Sequence, residues 1–311
     1  MKSVSEDDLA DLHGKVVLVT SGNTSVGYAT IQMLAQRGAK VYMGARNGER
    51  AAAAIKQLES ENINDGSVLW LKLDLSDPRT ARAAANEFLE KEKRLDVLVT
   101  STVNNAAMQP VGPFKFDDKD GLLDIMVTNH FSHFVLTDTL LPPLKETANE
   151  SGATPDRQRA LQKLRRTLSS SAHTRPKPTT FSTKEAINKN YGESTGAYIS
   201  TYGRSKLANI LYMKELQKRL NTESVPITCI AVHPGRTTTE GSFLQTVTTR
   251  ELTLPQTTGF SAPWRHGALT VAFAAASKEI AAQREQYQGA YLVPIAAVEF
   301  CAGREVAEGA L

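Results

Sequence analysis

The chain has 311 residues, of which 41% are hydrophobic, and its formal net charge is +3 with a pI near 8.7. This size is enough for one large α/β domain or two small ones with a buried core. The basic residues are interleaved with acidic ones, which argues against a nucleic-acid-binding protein, and Cys229 and Cys301 have neither metal nor redox spacing. The polar first 15 residues, and the lack of an apolar run near the roughly 18 residues that span a bilayer, predict a soluble cytoplasmic protein without a transmembrane segment.

Short apolar runs alternate with amphipathic stretches along the chain. The predicted strands are 15–20, 40–43, 68–73, 95–100, 226–232 and 289–293, and the predicted helices are 26–37, 49–61, 80–92, 121–144 and 196–220. This alternation predicts an α/β fold with one doubly wound parallel sheet of the Rossmann type and helices on both faces. We expect a single domain over 1–311, with a cofactor half at about 14–165 and a catalytic and substrate half at about 166–311.

One segment fits this alternation poorly. Residues 146–166 are polar where a loop and then a central strand are expected, and the best strand candidate, 164–169, begins with Leu-Arg-Arg. A central strand should be more apolar. The leucine spacing also fits a short surface or membrane-facing helix, and a solvated insertion is the interpretation that we favour.

The strongest helix pattern, at 196–220, carries Tyr202 and Lys206. Residues four apart lie on one face of a helix, so the Lys206 ammonium can approach the Tyr202 phenol. A free phenol titrates near pH ~10, and a neighbouring positive charge favours the phenolate, so this pair can act as an acid or base nearer neutrality. An ordinary amphipathic helix shows the same spacing by chance.

A phosphate-binding loop is predicted between the first strand and the first helix. Backbone N–H groups and the helix dipole favour an anion there. The candidate cofactor-binding residues in this loop are Ser21, Gly22, Asn23, Ser25, Val26 and Gly27.

Arg46 follows the second predicted strand, at the position where NAD-specific dinucleotide folds carry an acid for the ribose 2′-hydroxyl. The guanidinium of Arg46 instead suits a 2′-phosphate, which predicts NADP(H) as the cofactor. The alternative is a solvated arginine in a turn.

Together these motifs resemble the short-chain dehydrogenase/reductase family, and within it the retinol-dehydrogenase-like oxidoreductases common in fungi. The resemblance covers about residues 14–295. Besides the Tyr-x-x-x-Lys pair it rests on the order and spacing of five stretches, which are Leu-Asp-Val-Leu-Val at 95–99, Asn-Asn-Ala at 104–106, Thr-Asn-His at 128–130, Ser-Ser-Ser-Ala-His at 169–173 and His-Pro-Gly at 233–235.

The resemblance implies a catalytic tetrad of Asn129, Ser170, Tyr202 and Lys206. Tyr202 would exchange a proton with the substrate oxygen, which Ser170 would hold by a hydrogen bond unless the register is shifted to a neighbouring serine. Lys206 would lower the tyrosine pKa and bind the nicotinamide ribose, and Asn129 would anchor a water chain to Lys206. The further cofactor-binding residues that the resemblance implies are Asp74, Asn105, Ala106, Tyr202, Lys206, Pro234, Gly235, Thr237 and Thr239.

The sequence departs from the family pattern in two loops. Ser21 and Ser25 replace the first two of three glycines in the phosphate loop, although serine tolerates positive φ poorly and its Cβ crowds a pyrophosphate. Relatives usually lack residues 100–103, and Ala107 stands where a glycine is expected. These changes keep a degenerate family member among the alternatives.

No metal site is predicted, because His130 and His133 are three apart on a helix but lack a third ligand with suitable spacing.

Residues 236–264 correspond to a variable segment that covers the substrate in the family. Its scattered apolar residues predict a bulky, largely apolar small-molecule substrate, unless they only pack the segment onto the domain. The resemblance also allows for a homo-oligomer.

The leading hypothesis is an NADP(H)-dependent carbonyl reductase or alcohol dehydrogenase of secondary metabolism. Two alternatives remain. One is a non-catalytic binding or scaffold protein whose cofactor loop has decayed, and the other is an isomerase or cyclase that uses the same Tyr202 and Lys206 pair without net redox change.

Overall fold

A computed structural model of the protein describes residues 4–63, 65–100, 114–150, 163–168, 171–174, 180–192, 194–235, 264–293 and 297–299. The strands in these ranges are β1 (Val16–Thr20), β2 (Lys40–Ala45), β3 (Ser67–Lys72), β4 (Val97–Thr100), β5 (Lys163–Leu168), β6 (Ile227–Val232), β7 (Tyr291–Val293) and β8 (Ala297–Glu299). They form one eight-stranded sheet in the order β3-β2-β1-β4-β5-β6-β7-β8. Strands β1 to β7 run parallel, and β8 pairs antiparallel with β7.

The longer helices connect these strands. They are α1 (Ser25–Ala35), α2 (Gly48–Ser60), α3 (Pro78–Lys91), α4 (Ser132–Glu150), α5 (Thr195–Thr222) and α6 (Trp264–Ala276). A helical turn at Asp124–Met126 and a π-helical stretch at Val127–Phe131 lead directly into α4. Among the residues that the structure describes, no helix is both long and apolar enough to cross a membrane.

The core lies on both faces of the sheet, because successive side chains of a strand point to opposite sides. In β1, Val17 and Val19 contribute to an apolar cluster with α1 and α6, whereas Val16 and Leu18 contribute to one with α3, α4 and α5. Every residue of β1 is buried. This two-sided burial explains why the strand reads as a continuous apolar run.

The strand order reverses at β1, where the chain first builds outward through β2 and β3 and then returns to place β4 on the other side. In open parallel sheets such a reversal creates a crevice at the carboxyl ends of the strands, where ligands bind. The predicted doubly wound Rossmann-type fold is thus confirmed.

Strand β5 lies in the middle of the sheet, between β4 and β6. Its backbone pairs Arg165 with Leu98 on one side and with Cys229 on the other. The strand candidate at 164–169 was therefore right to within a residue, and the preferred interpretation of a solvated insertion is wrong for residues 163–168. Pairing with two neighbouring strands satisfies the backbone N–H and C=O groups of β5. These hydrogen bonds stabilise the strand although its sequence is more polar than that of a typical central strand.

Two other boundaries differ from the prediction. The helical region expected at 121–144 begins at Asp124 and continues to Glu150, with Pro142 and Pro143 inside α4. Gly121 precedes it with φ +58, a conformation that ends rather than starts a helix. The short antiparallel β8 was not predicted, because three residues are too few for a periodic pattern.

Candidate active site

Because β1 to β7 are parallel, the segments that follow them meet at one edge of the sheet. The loop 21–24 follows β1, Arg46 follows β2, Asp74 lies two residues beyond β3, and Pro234 lies two residues beyond β6. Of the predicted site residues, Ser170, Asn105, Ala106, Thr237 and Thr239 lie outside the described residues.

Helix α5 carries Tyr202 and Lys206, and Lys206 interacts electrostatically with His233, which follows β6 at this edge. Ser194 caps the helix by accepting a hydrogen bond from the Ala197 N–H, and Met213 and Leu216 bury its second half against α4 and the sheet. The Lys206 Nζ atom lies 5.2 Å from the centroid of the Tyr202 ring, so the predicted proximity takes the form of a cation–π contact.

Lys206 is almost completely enclosed, with 1% of its surface exposed, whereas Tyr202 is half-buried. Burial disfavours the ammonium and lowers the pKa of Lys206 to about 7. Enclosure of this lysine therefore shifts its protonation equilibrium toward the neutral amine. The sequence suggested a permanent charge beside the phenol, because the spacing of residues says nothing about desolvation.

Asn129 lies in the π-helical stretch and is fully buried beside α5. Its Nδ2 donates to Ser205 Oγ at 2.9 Å, and its backbone carbonyl oxygen accepts from Asn209 Nδ2 at 2.9 Å. Its Oδ1 has no hydrogen-bond partner in the described part of the chain. π-helical turns are frequent at functional sites, and here the turn fixes Asn129 next to the residue that precedes Lys206.

Ser205 and Asn209 were missed in the sequence. They lie three and seven positions after Tyr202, so helical spacing alone places them near the face that carries the tyrosine. Asn209 also contacts His130, whose Nδ1 is 2.8 Å from Asn209 Oδ1. The network joins α5 to the π-helical stretch and orients both.

His233 follows β6 and lies close enough to Lys206 and His173 for their charges to lower its pKa. Burial, followed by those two charges, lowers the pKa of His233 to about 4, so the ring is neutral at pH 7. The backbone N–H of His233 donates to the Leu292 carbonyl at 2.7 Å. No group of three His, Cys, Asp or Glu side chains within the described ranges is arranged to hold a metal ion.

The predicted phosphate loop, residues 21–27, has a left-handed backbone at both positions where serine replaces a glycine of the family pattern. Ser21 has φ +54 and Ser25 has φ +48. A Cβ at Gly27 would collide with the Ser21 carbonyl oxygen, so the third glycine is required by the close packing of loop and helix. The first turn of α1 contains no acid, and the side chain of its N-cap residue, Thr24, makes no capping bond. The free backbone amides of this loop therefore fit a phosphate, although the backbone of two serines is strained.

Replacing Ser25 with glycine is expected to stabilise the protein by up to about 1 kcal/mol. Relief of about 1–2 kcal/mol of left-handed strain is partly offset by the greater backbone entropy of glycine. We also expect NADPH to bind more tightly, because removal of the Cβ opens the approach to the amides. Thermal unfolding and a fluorescence titration with NADPH measure the two effects.

Ser224, just beyond α5, is a matched control for this variant, because it has φ +55 and lies far along the chain from the loop. Ser224→Gly should change stability in the same direction and leave NADPH affinity unchanged. Weaker NADPH binding by Ser25→Gly would indicate that the serine hydroxyl donates to a phosphate instead.

The turn after β2 presents Arg46 to solvent. The Trp70 indole donates to the Ala45 carbonyl at 3.0 Å and its ring packs beside Gly48, which fixes this turn. Beyond the end of the neighbouring strand β3, Asp74 accepts a hydrogen bond from the Ser76 N–H at 2.9 Å. Arg46 and Asp74 thus follow adjacent strands at the same edge as the phosphate loop.

An apolar wall that the sequence analysis missed adjoins Tyr202. Its fully buried members are Leu123, Ile125, Met126 and Ala208, and Phe114, Phe181, Tyr198 and Tyr202 pack against them. The buried Arg204 supports the wall, since its guanidinium lies 4.6 Å from the Phe181 ring and donates to the Thr180 carbonyl at 2.7 Å.

The predicted substrate-covering segment lies outside the described residues except for Trp264, the first residue of α6. The Trp264 ring meets Tyr28 of α1 edge to face, with 6.4 Å between centroids. For this residue the structure favours the alternative in which the side chain packs onto the domain.

Comparisons with known proteins agree with this architecture. A family profile described as short chain dehydrogenase matches residues 15–153. The chain is 38% identical over 297 residues to a short-chain dehydrogenase/reductase of Armillaria gallica, a match that covers 94% of this chain and 88% of that protein. It is 37% identical over 222 residues to retinol dehydrogenase 12 of Mus musculus, covering 71% of this chain and 61% of that one. The RhlG/NADP active-site complex of Pseudomonas aeruginosa superimposes with a TM-score of 0.59 at 22% identity, covering 91% of this chain and 95% of the other.

Proposed function

Since this chain belongs to the short-chain dehydrogenase/reductase family, we propose that it is an NADP(H)-dependent oxidoreductase acting on a carbonyl or alcohol of a largely apolar small molecule. The observation that carries the proposal is the contact between half-buried Tyr202 and enclosed Lys206 at the carboxyl edge of the sheet. Family membership supports the oxidoreductase class, and the geometry supports the assignment of roles.

Tyr202 is the proposed general acid and base. In the reducing direction its phenol gives a proton to the substrate oxygen, and the Lys206 ammonium stabilises the phenolate that remains. Ser170 is assigned to hold the same oxygen by a hydrogen bond. Asn129, fixed by Ser205 and Asn209, holds the π-helical stretch against α5 and so keeps Lys206 in position.

The loop and the turn after β2 are the proposed cofactor site. The uncapped amides of α1 receive a phosphate, and Arg46 receives the 2′-phosphate that distinguishes NADP(H) from NAD(H). When bound, the nicotinamide supplies or accepts the hydride. A cofactor phosphate bound near Lys206 would favour the ammonium and so offset the lowering of the Lys206 pKa by burial.

The apolar wall supports the proposed substrate class. Phe114, Phe181 and Tyr198 offer aromatic surface next to the Tyr202 ring, which suits a bulky apolar body better than a sugar or a small keto acid. A terpenoid, polyketide or aromatic ketone, aldehyde or alcohol has this character.

A substrate panel tests the proposal by following NADPH consumption. Hydrophobic carbonyls should show a higher kcat/KM than small hydrophilic sugars and keto acids, and each product should be two hydrogens heavier than its substrate. Preference for the hydrophilic group would refute the assignment of the apolar wall. A product of unchanged mass would point to isomerisation, and NADPH binding that is undetectable by titration would favour a non-catalytic binding protein with a decayed loop.

A further inference from the structure

Tyr198 lies one helical turn before Tyr202 on α5, so both side chains project from the same face. Its ring is stacked almost parallel on Phe114, with 5.6 Å between centroids and an interplanar angle of 8°. Both rings belong to the apolar wall beside Tyr202. Tyr198 is therefore held rigidly next to the proposed proton donor.

The hydroxyl of Tyr198 is buried and has no hydrogen-bond partner in the part of the chain that the structure describes. A phenylalanine would stack on Phe114 equally well, so the packing does not explain the hydroxyl. Buried polar groups are nearly always hydrogen-bonded, and an exception calls for a ligand, a water or a functional reason.

The surroundings of this phenol keep it protonated. Burial, together with the nearby charges of Asp124 and Tyr202, raises the pKa of Tyr198 well above its usual value. Asp124 is itself half-buried, and burial raises the pKa of its carboxyl, although its Oδ1 accepts a hydrogen bond from the Ile125 N–H at 2.6 Å. The Tyr198 hydroxyl is thus a neutral hydrogen-bond donor at pH 7.

We infer that the Tyr198 hydroxyl binds a second oxygen of the substrate, so that the preferred substrate is an apolar molecule with two oxygens about one helical turn, or roughly 6 Å, apart. One oxygen is the reacting carbonyl at Tyr202, and the other is a hydroxyl, carbonyl or ether at Tyr198. This inference rests on the proposed function and narrows it from apolar carbonyls in general to dioxygenated ones, such as hydroxyaryl ketones. A site built to bind a second oxygen discriminates strongly against the analogue that lacks it, because its own polar group is then left unpaired.

The test uses a matched pair of bicyclic ketones, 1-tetralone and 6-hydroxy-1-tetralone. The two oxygens of 6-hydroxy-1-tetralone lie about one helical turn apart. Two quantities are measured for the unmutated protein and for Tyr198→Phe. One is the kcat/KM for NADPH-dependent reduction, and the other is the affinity for each ketone in the presence of NADP⁺, measured by calorimetry. The affinity does not depend on turnover, and phenylalanine preserves the stack on Phe114.

We expect the unmutated protein to favour the hydroxylated ketone roughly 10-fold in both quantities, and Tyr198→Phe to lose this preference because it binds the hydroxylated ketone more weakly. Equal affinities of the unmutated protein for the two ketones would overturn the inference, whatever the turnover. An equal loss toward both ketones in Tyr198→Phe would overturn it too, since that pattern belongs to a packing role. A binding preference without reduction would refute the proposed oxidoreductase activity and leave the Tyr198 contact standing.

Discussion

Replacing Tyr202 with phenylalanine is expected to lower the turnover number by roughly 100- to 10,000-fold, the range over which a positioned general acid contributes. The phenylalanine keeps the ring in the apolar wall and over Lys206, and removes only the proton that the substrate oxygen would receive. The affinity for NADPH should change little, because the loop and the turn after β2 are untouched. Steady-state rates together with an NADPH titration measure the two effects separately.

Tyr212→Phe is the matched control, since this tyrosine lies on the same helix and packs beside Phe134 with 4.9 Å between ring centroids. It should retain normal turnover. Lys206→Ala provides a contrast, because it should reduce both turnover and NADPH affinity. A Tyr202→Phe protein that turns over at a near-normal rate would place the catalytic acid elsewhere.

Replacing Arg46 with alanine is expected to weaken NADPH binding by roughly 10- to 100-fold and to leave NADH binding nearly unchanged. This range corresponds to the loss of about 1.5–3 kcal/mol for hydrogen bonds between a guanidinium and a phosphate. Arg46 is exposed, so its removal leaves no buried charge and should not alter the fold. Titration of both dinucleotides against each protein measures the preference directly.

Arg219→Ala is a suitable control, because Arg219 is also an exposed arginine but lies in the last turn of α5 and pairs with Glu215. It should bind both cofactors as the unmutated protein does. If the unmutated protein already binds NADPH and NADH equally, Arg46 does not select the cofactor and the arginine is a solvated turn residue.

The fold could be predicted from the sequence because its strands are buried on both faces and its helices are amphipathic. β1 and β6 are wholly buried, and each consists almost entirely of apolar residues. β5 resisted prediction, since its position depends on pairing with β4 and β6 and not on its own polar sequence. Tertiary pairing of this kind leaves no local signal.

The contacts within one helix of the candidate site could be predicted from helical spacing. The side chains that enclose the site from other segments could not. Tyr202 and Lys206 are four residues apart, and their contact could be expected. Their surroundings could not, because Phe114 and Phe181 come from segments far apart in the sequence. The strain at Ser21 and Ser25 was suggested by the replaced glycines, and the positive φ of both residues agrees with it.

The burial of Lys206 has a consequence for the stability of the folded protein. Its pKa falls from 10.5 to about 7 on folding, so between these values the unfolded chain holds a proton that the native state has released. By proton linkage the free energy of unfolding then rises with pH across this interval, and the full penalty for enclosing the charge applies below about pH 7. An anion bound beside Lys206 in the folded state alone would offset that penalty, and would therefore increase thermal stability more at acidic than at alkaline pH. The enclosed lysine therefore lowers the free energy of unfolding most below about pH 7.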